Sequence, residues 1–291
     1  MGDIQAATTG NLANAQNVMI TQCVYTAEHS DPVSSLVTNF SLPKGHKTLT
    51  YPKVGQMTAS NLTDGEDIID QENIGLTSVD LTTSEVGLKV ILTDKLVRQF
   101  NEDTFKVIGR QMGDAMSRKL DRDLIALFSA LNGGTTWGVD NLVLSIAHAA
   151  GISGRARANK WPRPIYAVHH PNAMGALAKA TMAVGATYYA GILDTISKEI
   201  FANFWRYSID GIKWFEDGNI DKVAGQDSGY GAAFSKDALA CIKSLAPTTE
   251  RERDASLRAT EVVIVSDYGV FELDDGYGAP LLYEIGNMDT T

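Results

Sequence analysis

The chain has 291 residues, 44% of them hydrophobic and 21% charged, a globular composition long enough for one large domain or two ordinary ones. With 25 Lys and Arg against 35 Asp and Glu, its formal net charge of -10 argues against a general nucleic-acid binder and a polybasic membrane-surface protein, both of which need cations to neutralise phosphates. Two cysteines, Cys23 and Cys241, cannot build a disulfide framework, no apolar run is long enough to span a membrane, and no charged start precedes an apolar stretch near Met1, so a soluble, intracellular protein is expected.

Residues 1–30 are polar and rich in small side chains, without a sustained apolar period, and read as an N-terminal arm. Lys47-Thr48-Leu49-Thr50-Tyr51 is a short β-prone run ended by Pro52. A turn-rich acidic stretch follows, and strand character returns over Thr77–Leu92, with Val86, Leu88, Val90 and Leu92 on one side at period two. Two β runs flanking a polar excursion of that length predict a projecting two-stranded loop over 47–85. Asp94–Phe100 suits a short helical turn capped by Thr93, and Asn101 offers a second N-cap.

From Asn101 the apolar positions Phe105, Ile108, Met112, Met116, Leu120, Leu124, Leu127 or Phe128 and Leu131 advance by three or four, the amphipathic signature of a helix over about 102–131. Arg110, Asp114, Arg118 and Arg122 line a charged face at i,i+4 spacing, and Asn132-Gly133-Gly134 stops the helix. At roughly 45 Å it is nearly as long as a compact globule of this size is wide.

Beyond it, helix and strand signals alternate. Asn141–Ala150 reads as a helix, Pro164–His169 as a buried strand, Pro171 as a helix start, and Asn172–Val184 and Asp194–Phe204 as two further helices. Trp205–Ile209 and Ile212–Glu216 flank Asp210-Gly211, a strong hairpin signal. Gly229–Phe234 opens another strand, and Ala259–Val265 and Val270–Leu273 are β-rich around an expected turn at Asp267-Tyr268-Gly269.

Charge is segregated along the chain. From Val54 to Leu88 there are seven acids (Asp64, Glu66, Asp67, Asp70, Glu72, Asp80, Glu85) and no Lys or Arg. From Asn141 to Leu193 there are Arg155, Arg157, Lys160, Arg163 and Lys179 and no acid; from Ala259 to Thr291 there are seven acids and no base. Such blocks are either surfaces that meet, within or between copies, or solvated faces of uneven composition.

No catalytic constellation emerges. His169 and His170 are strand neighbours that point to opposite faces, and C-x-x-C, H-E-x-x-H and H-x-x-E-H are missing, which gives no support for a metal or other cofactor. G-x-S-x-G, G-x-G-x-x-G and the P-loop pattern are also missing; Gly151-Ile152-Ser153-Gly154 is one residue short of the first and is expected in a basic loop. Asp217-Gly218-Asn219-Ile220-Asp221 lacks the Gly and Glu of a calcium loop and reads as a turn. Trp161 within the basic Arg155–Arg163 segment can mark single-strand nucleic-acid contact, although a subunit contact or solvated loop fits that segment better.

The order of these elements resembles the major capsid protein of tailed bacteriophages, with the Hong Kong 97-type fold. Thr93-Asp94-Lys95-Leu96-Val97 and the helix through Lys119–Leu124 are similar to that family's pre-helix and spine helix. Ile209–Trp214 and Gly231–Phe234 resemble its axial hairpin and following strand, and Glu250–Asp254 through Val262–Val265 and Tyr268-Gly269 its closing sheet. The resemblance implies an α+β fold in which a peripheral domain (31–46, 86–135, 246–291) carries the spine helix, the extended loop occupies 47–85, and an axial α/β domain is inserted at 136–245.

It further implies a non-catalytic shell subunit of a virion. Its partners are other copies in hexamers and pentamers, with separate scaffolding, portal and decoration proteins; the shell encloses double-stranded DNA without sequence-specific binding and assembles in the bacterial cytoplasm. In that fold the excursion lies across the adjacent subunit. Asp64, Glu66, Asp67, Asp70 and Glu72 are therefore expected to face a neighbour's basic surface, drawn from Arg110, Arg118 and Arg122 or from Arg155, Arg157, Lys160 and Arg163. Two rival readings remain: an encapsulin-like nanocompartment shell, and a hydrolase with a dispersed active site.

Overall fold

The computed structural model describes residues 32–55, 57, 59, 61, 75–95, 102–188 and 205–286. The expected arm, the acidic centre of the excursion, the Asn101 cap, most of the 94–100 turn and the 194–204 helix lie outside the described residues.

Two sheets flank one long helix. The first sheet contains β1 (Thr38–Ser41), β4 (Ser84–Thr93), β10 (Leu239–Asp254) and β11 (Ala259–Glu272), in the order β1-β10-β11-β4, with β1 parallel to β10 and the other pairs antiparallel. The period-two side chains of β4 (Val86, Leu88, Val90 and Leu92) join Val262 and Ile264 of β11 in one apolar layer. Ile108, Met112 and Met116 from the N-terminal half of α1 (Glu102–Phe128) close that layer.

The second sheet has six strands: β5 (Trp137–Gly138), β6 (Ile165–His169), β7 (Trp205–Ile209), β8 (Ile212–Glu216), β9 (Ser228–Ser235) and β12 (Gly278–Glu284), ordered β5-β12-β9-β6-β8-β7. Leu124, Phe128 and Leu131, at and beyond the C-terminal half of α1, enter the large core of this lobe, where the Phe128 ring meets Phe234 of β9 at 5.7 Å. Two shorter helices pack into the same core, α2 (Ile146–Ala158) through Ala149, Ile152 and Ala156, and α3 (Pro171–Tyr188) through Ala173, Met174 and Leu177. The β7–β8 turn has positive φ at both Asp210 (49°) and Gly211 (85°), the geometry a two-residue hairpin requires.

A third, two-stranded sheet pairs β2 (Thr48–Lys53) with β3 (Thr77–Thr82). Leu49, Tyr51, Val79 and Leu81 pack on Leu42, Ala240, Ile242, Phe271 and Leu273, and the Lys53 ammonium sits 2.6 Å from the Asp274 carboxylate. The ladder therefore lies on the body of the protein as far as Lys53; only the chain beyond it can project.

Several expectations change. The Thr77–Leu92 run is two strands in different sheets, broken at Thr83, whose hydroxyl donates to Asp267 at 2.9 Å. Asp267-Tyr268-Gly269 is no turn but the middle of the continuous strand β11. Its glycine serves a close approach: a Cβ at Gly269 would collide with the Thr82 carbonyl where the ladder crosses β11. The helix expected over 141–150 runs instead from Ile146 to Ala158, because Ser145 caps it by accepting from the His148 N–H. Gly151–Gly154 is thus helical and not in a loop.

The long helix ends at Phe128, not at 131. Asn132 (φ 55°), Gly133 (59°) and Gly134 (74°) take left-handed backbone, and the Gly133 N–H donates to the Asp275 carboxylate at 2.9 Å. Leu131 is buried all the same. The segment boundaries also shift: β10 runs through the expected 245/246 division, and β12, at the end of the expected peripheral segment, pairs with β9 and β5 in the six-stranded sheet.

His169 closes β6 with no exposed surface, its ring against the backbone of Gly231 and 5.9 Å from the Tyr283 ring. Nδ1 accepts from the His170 N–H at 2.9 Å, and burial drives the imidazole pKa from 6.5 down to about 3. Below pH 6.5 the unfolded chain takes up a proton that the folded chain refuses, so stability falls as pH drops from 6.5 towards 3. The wild-type margin over H169Q should shrink by about 1.4 kcal/mol per pH unit below 6 in chemical denaturation of the subunit; a constant margin would contradict a neutral buried imidazole. In the same assay Phe128→Ala should cost about 3–5 kcal/mol and Val139→Ala, at an exposed site, less than about 0.5.

Candidate assembly surface

The helix α1 presents one uncovered face on which Arg110, Arg118 and Arg122 are exposed and Asp114 is half-buried. Arg122 is engaged within the chain, its guanidinium 3.1 Å from the Asp221 carboxylate. Among the described residues no ion pair reaches Arg110 or Arg118.

The second basic group is largely used internally. The Arg155 guanidinium lies 5.7 Å from the centre of the Trp137 ring, which stacks on Trp161 at 5.2 Å and 8°. Trp161 is buried, so it presents no face on which a nucleobase could stack. Arg157 pairs with Asp210 and donates to Ser153 Oγ at 2.7 Å, while Ser153 Oγ donates to Asp210 at 2.6 Å. Arg163 lies over the same hairpin, 3.2 Å from where a Cβ of Gly211 would stand. Lys160 is exposed in the turn after α2 with φ of 57°. The basic segment thus clamps the β7–β8 turn to α2, and the reason lies in a contact that composition hides: Asp210 comes from the hairpin, about fifty residues along the chain. Asp64, Glu66, Asp67, Asp70 and Glu72 lie outside the described residues.

Two features of this surface carry no charge signal and were missed by the sequence reading. The first is the outer end of the β2–β3 ladder. Its hydrogen bonding continues one step past the strands, with the Gly55 N–H donating to Gly75 O at 3.2 Å, which sets Val54 opposite Leu76. Val54 is 57% exposed, Leu76 65% and the nearby Met57 55%. Apolar residues flanked by glycines at the end of a β run were a legible sign.

The second is a groove of about 370 Å³ between the C-terminal part of α1 and the turn that joins β8 to β9. Ile125, Ile220, Val223 and Tyr230 form its apolar lining. Its rim holds the Arg122–Asp221 pair and the Lys222–Asp227 pair, the latter at 2.7 Å. The Asp217–Asp221 turn is held from below: the Asn219 N–H donates to Asp217 at 2.8 Å, and its side-chain amide donates to buried Asp121 of α1 at 2.7 Å. Four-residue spacing could not reveal the groove, because its two walls are about a hundred residues apart.

Among the described residues no group of three or more His, Cys, Asp or Glu side chains could hold a metal ion. Tyr283, pushed up to about 12 by burial, and neutral His169 are both buried.

A family model described as phage capsid protein matches residues 77–279. No curated protein sequence matches the chain. Among solved structures, the capsid of Ralstonia phage GP4 is similar over 88% of this chain and 89% of that one, with TM-score 0.65 and 12% identity. The head of Helicobacter pylori bacteriophage KHP40 covers 88% and 91% with TM-score 0.64 and 11% identity, and the mature capsid of bacteriophage PhiM1 covers 97% and 90% with TM-score 0.62 and 13% identity. The matched span holds the long helix and most strands of the two larger sheets, and the solved capsids share the α+β fold: the chain belongs to the phage capsid protein family.

Proposed function

We propose that this chain is a major capsid protein that self-assembles into the icosahedral head shell of a tailed phage and encloses its double-stranded DNA. The family match across residues 77–279 carries the reading. It also favours a viral head over an encapsulin-type compartment. The protein is structural, and its mechanism is association, in which many modest contacts add up because each copy meets several others.

In this reading α1 is the spine helix. The four-stranded sheet forms the peripheral domain, the six-stranded sheet the axial domain, and residues 47–85 the extended loop. Scaffolding, portal and decoration proteins are its expected partners, with assembly in the bacterial cytoplasm. Of the charged contact candidates, Arg110, Arg118 and Lys160 make no ion pair with a described residue and are the cations assigned to a neighbour's Asp64, Glu66, Asp67, Asp70 and Glu72. Arg122, Arg155, Arg157 and Arg163 serve the fold first.

Electron microscopy of the purified chain should show closed shells; a protein that remains monomeric at all concentrations contradicts the proposal. Reversing Asp64, Glu66 and Asp67 together to Lys should impair assembly, and the loss should deepen at low salt, where like charges repel over a longer range. Shells formed in normal yield by that variant would remove the acidic contact from the mechanism.

A further inference from the structure

We propose that Asn132-Gly133, just past the end of α1, is a latent deamidation site that the Asp275 carboxylate holds shut in the folded chain. The sequence carries no other Asn-Gly pair. In that pair the next backbone nitrogen reaches the side-chain carboxamide most freely, because glycine has no Cβ to hinder the approach. The reaction needs only water. The Gly133 nitrogen loses its proton and attacks Asn132 Cγ, ammonia leaves, and a cyclic succinimide closes. Water then opens the ring at either carbonyl, which leaves aspartate or isoaspartate at position 132.

The folded turn opposes both requirements of that attack. The nitrogen must become an anion, yet its N–H donates to both oxygens of Asp275, at 2.9 and 3.1 Å, and a carboxylate in contact disfavours a second negative charge. The carboxamide must swing onto the Gly133 nitrogen, yet Asn132 Nδ2 donates forward to Thr135 O at 3.2 Å, and Asn132 O accepts the Thr135 N–H at 3.1 Å. Asn132 is half-buried and Gly133, Gly134 and Thr135 are exposed, so water reaches the site and the hydrogen bonds, not burial, protect it. Opening leaves a permanent record. Either product sets a new carboxylate in the turn that meets Asp275. Isoaspartate also adds a methylene to the backbone directly after buried Leu131, whose side chain packs against Gly278 at the start of β12.

The site is tested by incubating the purified chain in mildly alkaline buffer and following, by peptide mass spectrometry, the amide-to-acid mass gain at position 132. In denaturant, wild type and Asp275→Ala should react at the same rate. In buffer the folded wild type should react far more slowly than the denatured chain. Folded Asp275→Ala should react about tenfold faster than folded wild type, the factor that loss of one hydrogen bond to a charged group gives. Asp275→Asn keeps an acceptor of the same shape without the charge, serves where alanine fails to fold, and should fall between the two. A folded wild type that reacts as fast as the denatured chain, or variants no faster than wild type, overturn the proposal. Asn132→Asp, one of the two products, should melt below wild type; an unchanged melting curve would overturn the consequence drawn for the folded chain.

Discussion

The apolar stripe of α1 is buried against two different sheets, and both are organised by it. Its N-terminal half closes the layer of Met112, Met116, Leu92 and Ile264, and its C-terminal half supplies Leu124 and Phe128 to the core of the six-stranded lobe. Each such side chain contributes roughly 1.5–3 kcal/mol on burial, so the four from the helix together contribute on the order of 10 kcal/mol, comparable with the whole net stability of a domain. A polar residue placed on this stripe would loosen one lobe and also the angle between the two. The Tyr268 hydroxyl donating to Asp123 at 2.9 Å and the Asn219 amide donating to Asp121 at 2.7 Å add a polar tie from α1 to each side.

How much of this was legible depends on the range of the signal. The stripe from Ile108 to Leu131 was written at spacings of three and four, and every position of it with a described side chain is buried or half-buried. The Asp210-Gly211 hairpin was equally local. Where glycine was the signal, reading failed once: Gly269 looked like a turn residue and is a crossing point, because sequence shows that a Cβ is missing but not which neighbour needs the space. At Ser145 the apolar run before the cap outweighed the cap itself.

The surface was legible only as formal charge. Counting Arg and Asp by blocks treated all the arginines as equivalent. Folding divides them, since Asp221 engages Arg122, Asp210 engages Arg157, and the ring of Trp137 takes Arg155. A cation held by its own chain has already given up part of its attraction for a partner, and among the described residues no ion pair reaches Arg110 or Arg118. The groove was hidden for the same reason, being made by residues that meet only in three dimensions, whereas Val54-Gly55 and Gly75-Leu76 marked the apolar ladder end locally.

The crossing of the ladder over β11 has a mechanical meaning. With Gly269 against Thr82 at one end and Lys53 on Asp274 at the other, the two-stranded ladder is a lever clamped at two points, one on β11 and one just past its end. A pull on its free tip cannot be absorbed by swinging at a loose hinge. It is delivered to β11, whose Val262 and Ile264 press on α1, and so to both lobes at once. In a shell under load, stress entering one subunit at the tip of its ladder would thus be shared through the entire molecule instead of concentrating at a single joint.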